Sequence, residues 1–130
     1  MTNSDLIKYW FDTAEEDWDT AEGLLELNHY MSALFYVHIA LEKYFKGLIV
    51  KDGKKTPFDH NLLGLAKMAK IDLDNDQLSH LTEINTFNIR ARYDDFKRSF
   101  YNKANKKYTE EYFNYALEFR LWLKKQYQKK

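Results

Sequence analysis

The sequence predicts an all-α protein, an antiparallel up-and-down bundle of four long helices plus one short helix, and three observations carry that prediction. Glycine and proline are scarce, four and one in 130 residues. Apolar residues recur at spacings of three and four almost throughout, rather than alternating. The breaks between periodic stretches are short, as antiparallel neighbours in a bundle require. No linker-like composition divides the chain, so residues 1–130 are read as one domain around one core.

The elements follow in order. A first helix is expected from about Ser4 to Leu27, with Leu6, Trp10, Ala14, Trp18, Ala21 and Leu25 on one stripe. Within it "DTAEEDW" is echoed by "DTAEGLL", two turns that return alanines to a close-packing face and acids toward water. The second helix, Tyr30 to Lys51, is apolar nearly all round in its first half and is therefore the central one. Gly53 suits the left-handed residue that ends it, and Pro57 prevents its continuation. Asp59 is the expected N-cap of a short third helix reaching about Lys70, with Phe58 and Leu63 as its staple. In "LDNDQL", Asp74 and Gln77 have capping-box spacing and open a fourth helix through Leu78, Leu81, Ile84 and Asn88. From Asp94 to Tyr108 the pattern loosens into a basic, aromatic connection, after which Thr109 is expected to cap a last helix carrying Tyr112, Ala116, Phe119 and Leu123.

Composition narrows the function classes. With no cysteine, disulfides and thiolate metal sites are excluded, and a reducing cytoplasm is the expected location. No secretory leader and no membrane span are expected, because no apolar run approaches about 18 residues. Aromatic residues make up 17% of the chain, more than a minimal bundle needs, which points to grooves or subunit contacts. Formal charge sums to zero but is unevenly spread: residues 1–30 hold eight acids and one lysine, residues 90–130 twelve bases and five acids. Such a dipole suits either a phosphate-binding face or an acid-to-base contact between subunits.

The chemistry-bearing residues lie in two segments. His38, Glu42 and Lys46 are spaced by four and form one row on the central helix, with Lys43 beside it. Two readings fit this row: a solvated stripe of ordinary surface pairs, or a row facing a groove where Glu42 meets the arginines of "NIRARYDD", since a partly buried carboxylate needs a cationic partner. In that second segment Arg90 and Arg92 suit a phosphate, Tyr93 a stacked base, and Asp94 or Asp95 hydrogen bonds from a sugar or base edge. Alternatively, these arginines and aspartates neutralise one another at a helix end. Lys97, Arg98, Lys103, Lys106 and Lys107, interleaved with Phe100 and Tyr101, fit an extended basic surface or a solvated loop equally well. Glu26 and His29 have the Glu-x-x-His spacing of bundle di-iron sites, but a second such pair is missing, so no metal and no cofactor are expected. His60 is read as a turn or cap residue, and His29 and His80 form no constellation.

Together the "HIALEKYFKGLIV" helix from His38 to Val50, the downstream "HNL" at His60 to Leu62 and the "ARYDD" at Ala91 to Asp95 resemble the HEPN family, with Ala21, Leu25, Tyr30, Ala33 and Phe35 extending the likeness into the first two helices. The resemblance spans most of the chain, and the Arg-Tyr-x-Asp form of the last motif is that of the family's RYxD-type branch. It implies a homodimer of helical bundles that binds nucleotide or RNA in a cleft, often beside a minimal nucleotidyltransferase in a toxin and antitoxin or stress-defence pair. Carried onto this chain, the binding residues are Arg90, Arg92, Tyr93, Asp94, Asp95, Lys43 and Lys46, supported by His38, Glu42, Lys97 and Arg98. Many relatives are metal-independent ribonucleases with a histidine four to six residues after an arginine. Here Asp94, Asp95 and Phe96 follow Arg90 at that distance, Phe96, Lys97 and Arg98 follow Arg92, and no histidine lies beyond His80. Cleavage by the usual pair is therefore not expected; the alternatives are a divergent ribonuclease using Arg90 or Arg92 with a carboxylate or His38, and a non-catalytic adaptor for other proteins.

Overall fold

The computed structural model describes residues 1–129, and at residues 94–96 the backbone alone. Helix α1 (Asn3–Glu26) opens on a capping box in which Thr2 Oγ1 accepts from the Asp5 amide (3.1 Å) and the Asp5 carboxylate accepts from the Thr2 amide (3.0 Å). A three-residue turn through Asn28, which adopts φ 62°, returns the chain into α2 (Tyr30–Lys51). Ala14, Trp18 and Ala21 of α1 are fully buried, and α1 and α2 make the most extensive helix pair. Two small residues flanking one large ring let the helices approach closely while the Trp18 ring fills the space between them.

Helix α2 is the core of the molecule, with fourteen buried residues including Tyr44 and Phe45. It ends as expected: Gly53 takes φ 85°, and the Lys54 amide donates back to the Ile49 carbonyl (3.1 Å). Around α2 pack α3 (Leu62–Met68), α4 (Asn75–Ile84), α5 (Phe87–Arg92), α6 (Asp94–Lys103) and α7 (Lys106–Gln126). The all-helical bundle is present, with no strand among the described residues.

Its second half is more divided than the periodicity suggests. The expected fourth helix is interrupted once, between Ile84 and Phe87. After Ile84 the Asn85 side chain turns away to accept from the Leu62 amide (2.8 Å), and Thr86 Oγ1 donates to the Glu83 carbonyl (2.7 Å), so the chain bends between α4 and α5. Tyr93 is extended (φ −97°, ψ 129°), which separates α5 from α6. The segment read as a loose connection is helical as α6 because Phe100 is fully buried and its ring lies 5.3 Å from that of Phe87. Two caps also differ. Asn61, not Asp59, caps α3, accepting from the Leu63 and Gly64 amides, and Phe58 is fully exposed and makes no staple. Asn105, not Thr109, caps α7, accepting from the Tyr108 amide (2.9 Å), and Thr109 is buried one turn in. At Asp74 the expected capping box with Gln77 is present.

Candidate functional site

The row on α2 is neither a solvated stripe nor a partner of the arginines. His38 is fully buried, Glu42 is 4% exposed and Lys46 7%. Glu42 Oε2 accepts from Lys46 Nζ (3.0 Å) and Oε1 from His60 Nδ1 (2.9 Å), so the buried carboxylate is satisfied by a cation one turn along its own helix and by an imidazole from the α2–α3 loop. His38 Nε2 donates to the His60 carbonyl (3.1 Å), which leaves its Nδ1 as a lone pair 3.9 Å from Glu42 Oε1. Burial pushes the His38 imidazole down to about 4, against the smaller upward pull of the Glu42 charge and the His60 carbonyl. It is therefore neutral near pH 7. Lys43 points elsewhere and pairs with Asp17 of α1 (2.6 Å).

The two arginines are used differently. Arg90 contacts Glu83 (3.3 Å) and Thr86 Oγ1 (3.3 Å), and its guanidinium lies 4.9 Å from the centre of the Phe100 ring. Glu83 also accepts from Lys103 (3.0 Å) and from the Tyr108 hydroxyl. Burial raises the Glu83 carboxyl, but those hydrogen bonds and the Arg90 charge outweigh it and hold the group below the usual carboxylate range. Arg90 thus belongs to a network that ties α4, α5, α6 and α7 together. Arg92 is exposed, and its recorded partner among the described residues is an uncharged one, the Asn88 amide oxygen (3.3 Å). Asp94 and Asp95 lie outside the residues whose side chains are described.

Arg92 and Tyr93 line a recess of about 540 Å³ together with Phe58, Asp59, His60, Asn61, Asn85, Asn88 and Ile89. Loop 53–61 supplies one wall and the α4–α5 bend the other. Phe58, Ile89 and Tyr93 are exposed apolar side chains on its rim. A smaller hollow of about 270 Å³ shares Arg92 and adds Lys97, Met31, Ser32, Phe35, Tyr36 and Ala91; beyond it Lys97, Arg98 and Tyr101 form the exposed face of α6. Of the residues expected at the site, the structure gathers Arg92, Tyr93, Lys97 and Arg98 on one side. Glu42, with Lys46 and His38 behind it, reaches that side through His60, while Arg90 and Lys43 are engaged in ion pairs outside the recess.

Comparison with known proteins now bears on the whole arrangement. The HEPN domain family matches residues 7–126. The chain belongs to the HEPN domain family. Among solved structures, the crystal structure of TT1696 from Thermus thermophilus superimposes with a TM-score of 0.79 at 21% identity, covering 92% of this chain and 97% of that one. At that identity the likeness establishes a shared HEPN fold. No curated protein sequence matches this chain. No helix among the described residues of this HEPN protein is long and apolar enough to cross a membrane.

Phe58, Asp59, His60, Asn61, Asn85, Asn88 and Ile89 are the recess residues that the sequence reading did not place at the site. His60 stands in the "HNL" motif, but nothing in that motif tells that its ring reaches Glu42. The asparagines carry no sequence signal, since their value depends on the bend that aims them.

Proposed function

We propose that this HEPN protein binds nucleotide or RNA in the recess between loop 53–61 and α5, as a homodimer that works with a minimal nucleotidyltransferase in a toxin and antitoxin-like or stress-defence pair. Family membership supports the ligand class and the partner. The observation that carries the reading is the recess itself. It brings one guanidinium without a charged partner among the described residues, exposed aromatic rings, and the amides of Asn61, Asn85 and Asn88 into one concavity. Guanidinium suits phosphate, aromatic faces suit bases, and amides can both donate to and accept from base edges. The exposed cations of α6 extend the same surface, so a strand longer than one nucleotide gains further phosphate contacts.

The test is fluorescence anisotropy with a labelled single-stranded RNA over a series of salt concentrations. Arg92→Ala is expected to weaken binding about tenfold or more and to flatten the salt dependence, whereas Lys43→Ala leaves both nearly unchanged. Equal losses from the two variants, or salt-independent binding, would count against this recess as the site.

A further inference from the structure

Three asparagines line the recess, and in each the amide oxygen is already committed. Asn61 Oδ1 accepts from the Leu63 and Gly64 amides (3.0 and 3.3 Å), Asn85 Oδ1 from the Leu62 amide (2.8 Å) and Asn88 Oδ1 from the Arg92 guanidinium (3.3 Å). Every one of those partners is an N–H, which can only donate, so the amides cannot be turned round. Their nitrogens are what remains for a ligand. Asn61 Nδ2 has no partner among the described residues, and Asn85 Nδ2 has there only the long contact to Asn61 Oδ1 (3.4 Å). Asn88 is 6% exposed, yet its Nδ2 also has no partner among the described residues. A buried N–H left open at the wall of a recess calls for an acceptor from outside the chain. Acceptors are fewer and lie on loop 53–61. Asp59 Oδ1 accepts from the Asn61 amide (3.0 Å), its Oδ2 has no hydrogen-bond partner among the described residues, and no ion pair joins Asp59 to Arg92 although both line the recess. His60 adds a single lone pair on Nε2, its Nδ1 proton being held by Glu42 (2.9 Å).

We propose that the recess selects guanine, with Asp59 on the loop wall accepting from N1–H and N2–H of the base, and Asn85 and Asn88 Nδ2 on the opposite wall donating to O6 and N7. The inference rests on the reading of the recess as a nucleotide or RNA site and names the base it takes. Among the four RNA bases guanine alone fits both walls. Its O6 and N7 are neighbouring acceptors. Its N1–H and N2–H are neighbouring donors that one carboxylate takes together. Adenine and cytosine each offer a carboxylate one amino group, and uracil one ring N–H. An amide oxygen turned toward the ligand would favour the adenine amino group instead, and here every such oxygen faces inward. Phe58, fully exposed, and Tyr93, 60% exposed, stack on a base whatever its identity, and Arg92 holds the phosphate. Those three residues supply affinity, while Asp59 and the asparagines supply the choice.

The experiment measures binding of the full chain, by fluorescence anisotropy, to short labelled uridine strands that carry guanosine, adenosine, cytidine or inosine at one central position, beside the all-uridine strand. The guanosine strand is expected to bind about tenfold or more tightly than the adenosine, cytidine and all-uridine strands. Inosine lacks the exocyclic amino group, so its strand should fall between them and tests the Asp59 contact without any substitution. Asp59→Asn keeps an oxygen for the Asn61 amide and so preserves the loop, which thermal unfolding checks. It should abolish the preference for guanosine and favour a xanthosine strand, because xanthine has a carbonyl where guanine has its amino group and the new amide can donate to it. Equal binding of all strands, preference for another base, or an unchanged guanosine preference in Asp59→Asn overturns this inference and leaves the binding reading standing. No binding of any strand overturns both.

Discussion

His38 is fully buried and donates to a backbone carbonyl, so its protonation is coupled to folding. Its folded pKa of about 4 lies below the ordinary value of 6.5 because burial disfavours the imidazolium. Between those values the unfolded chain binds a proton that the folded chain does not, so stability rises with pH across that window and is lost as pH falls through it. The groups facing it from its own helix and from loop 53–61 are Glu42 and His60. The loss attributable to His38 between pH 6.5 and about 4 is on the order of 3 kcal/mol. Urea unfolding at stepped pH should show that decline in the wild type and a flatter curve for His38→Gln, whose amide can still donate to the His60 carbonyl. Parallel curves for the two proteins would contradict this account. At this scale the spacing of His38, Glu42 and Lys46 was legible, but not its partner. Periodicity tells which residues share a row of one helix; it does not tell what another segment brings to that row.

Helix α2 is held to α7 by a contact that also had no sequence signal. Gly47 leaves room for Tyr127, whose hydroxyl donates to the Tyr44 carbonyl and whose ring packs edge-on against Phe11 (5.0 Å). A methyl at Gly47 would run into that hydroxyl. Gly47→Ala is therefore expected to destabilise by about 1 to 2 kcal/mol, although alanine gains ~1 kcal/mol over glycine in a helix interior. In a Tyr127→Phe background the penalty should shrink by about 1 kcal/mol, measured as the coupling in a double-mutant denaturation cycle. A coupling of zero would mean that Gly47 serves some purpose other than admitting Tyr127. In the chain the glycine stands as one residue of the "HIALEKYFKGLIV" motif, with nothing to tell what it admits. In the structure it is the seat of the final turn. Similarly, α6 was missed because few of its residues are apolar, and one buried ring, Phe100, suffices once Phe87 is there to receive it.

Across the whole molecule, part of the charge asymmetry is resolved internally. Glu15 of α1 accepts from Arg120 (3.1 Å), Lys124 (3.1 Å) and the Tyr44 hydroxyl (2.6 Å), so the acidic first helix and the basic last helix meet over the central one. Arg120 is 11% exposed in its side chain and also covers the Trp18 ring at 5.0 Å. Arg120→Ala should cost about 1 to 2 kcal/mol, through a carboxylate left with Lys124 as its one cation and an uncovered Trp18 ring. The cost should persist in about 0.5 M salt, because a partly buried cluster is weakly screened. Thermal unfolding of the variant at low and high salt checks this; a deficit that vanishes on adding salt would show the cluster to be an ordinary surface pair. Basic residues not used in this closure, among them Lys97 and Arg98, remain for the exposed face of α6.

By itself the sequence determined the helical class, the single core, the central place of α2 and the family, because helical periodicity, scarce helix breakers and motif order are properties of the chain read locally. Tertiary structure alone decided that Glu42 is satisfied by Lys46 and His60, that Arg90 serves a structural network while Arg92 faces the recess, and that loop 53–61 closes one wall of it. The physical reason is desolvation: once α2 is buried, each polar group on it must find a partner, and the partner is whichever donor the packing of distant segments brings within reach.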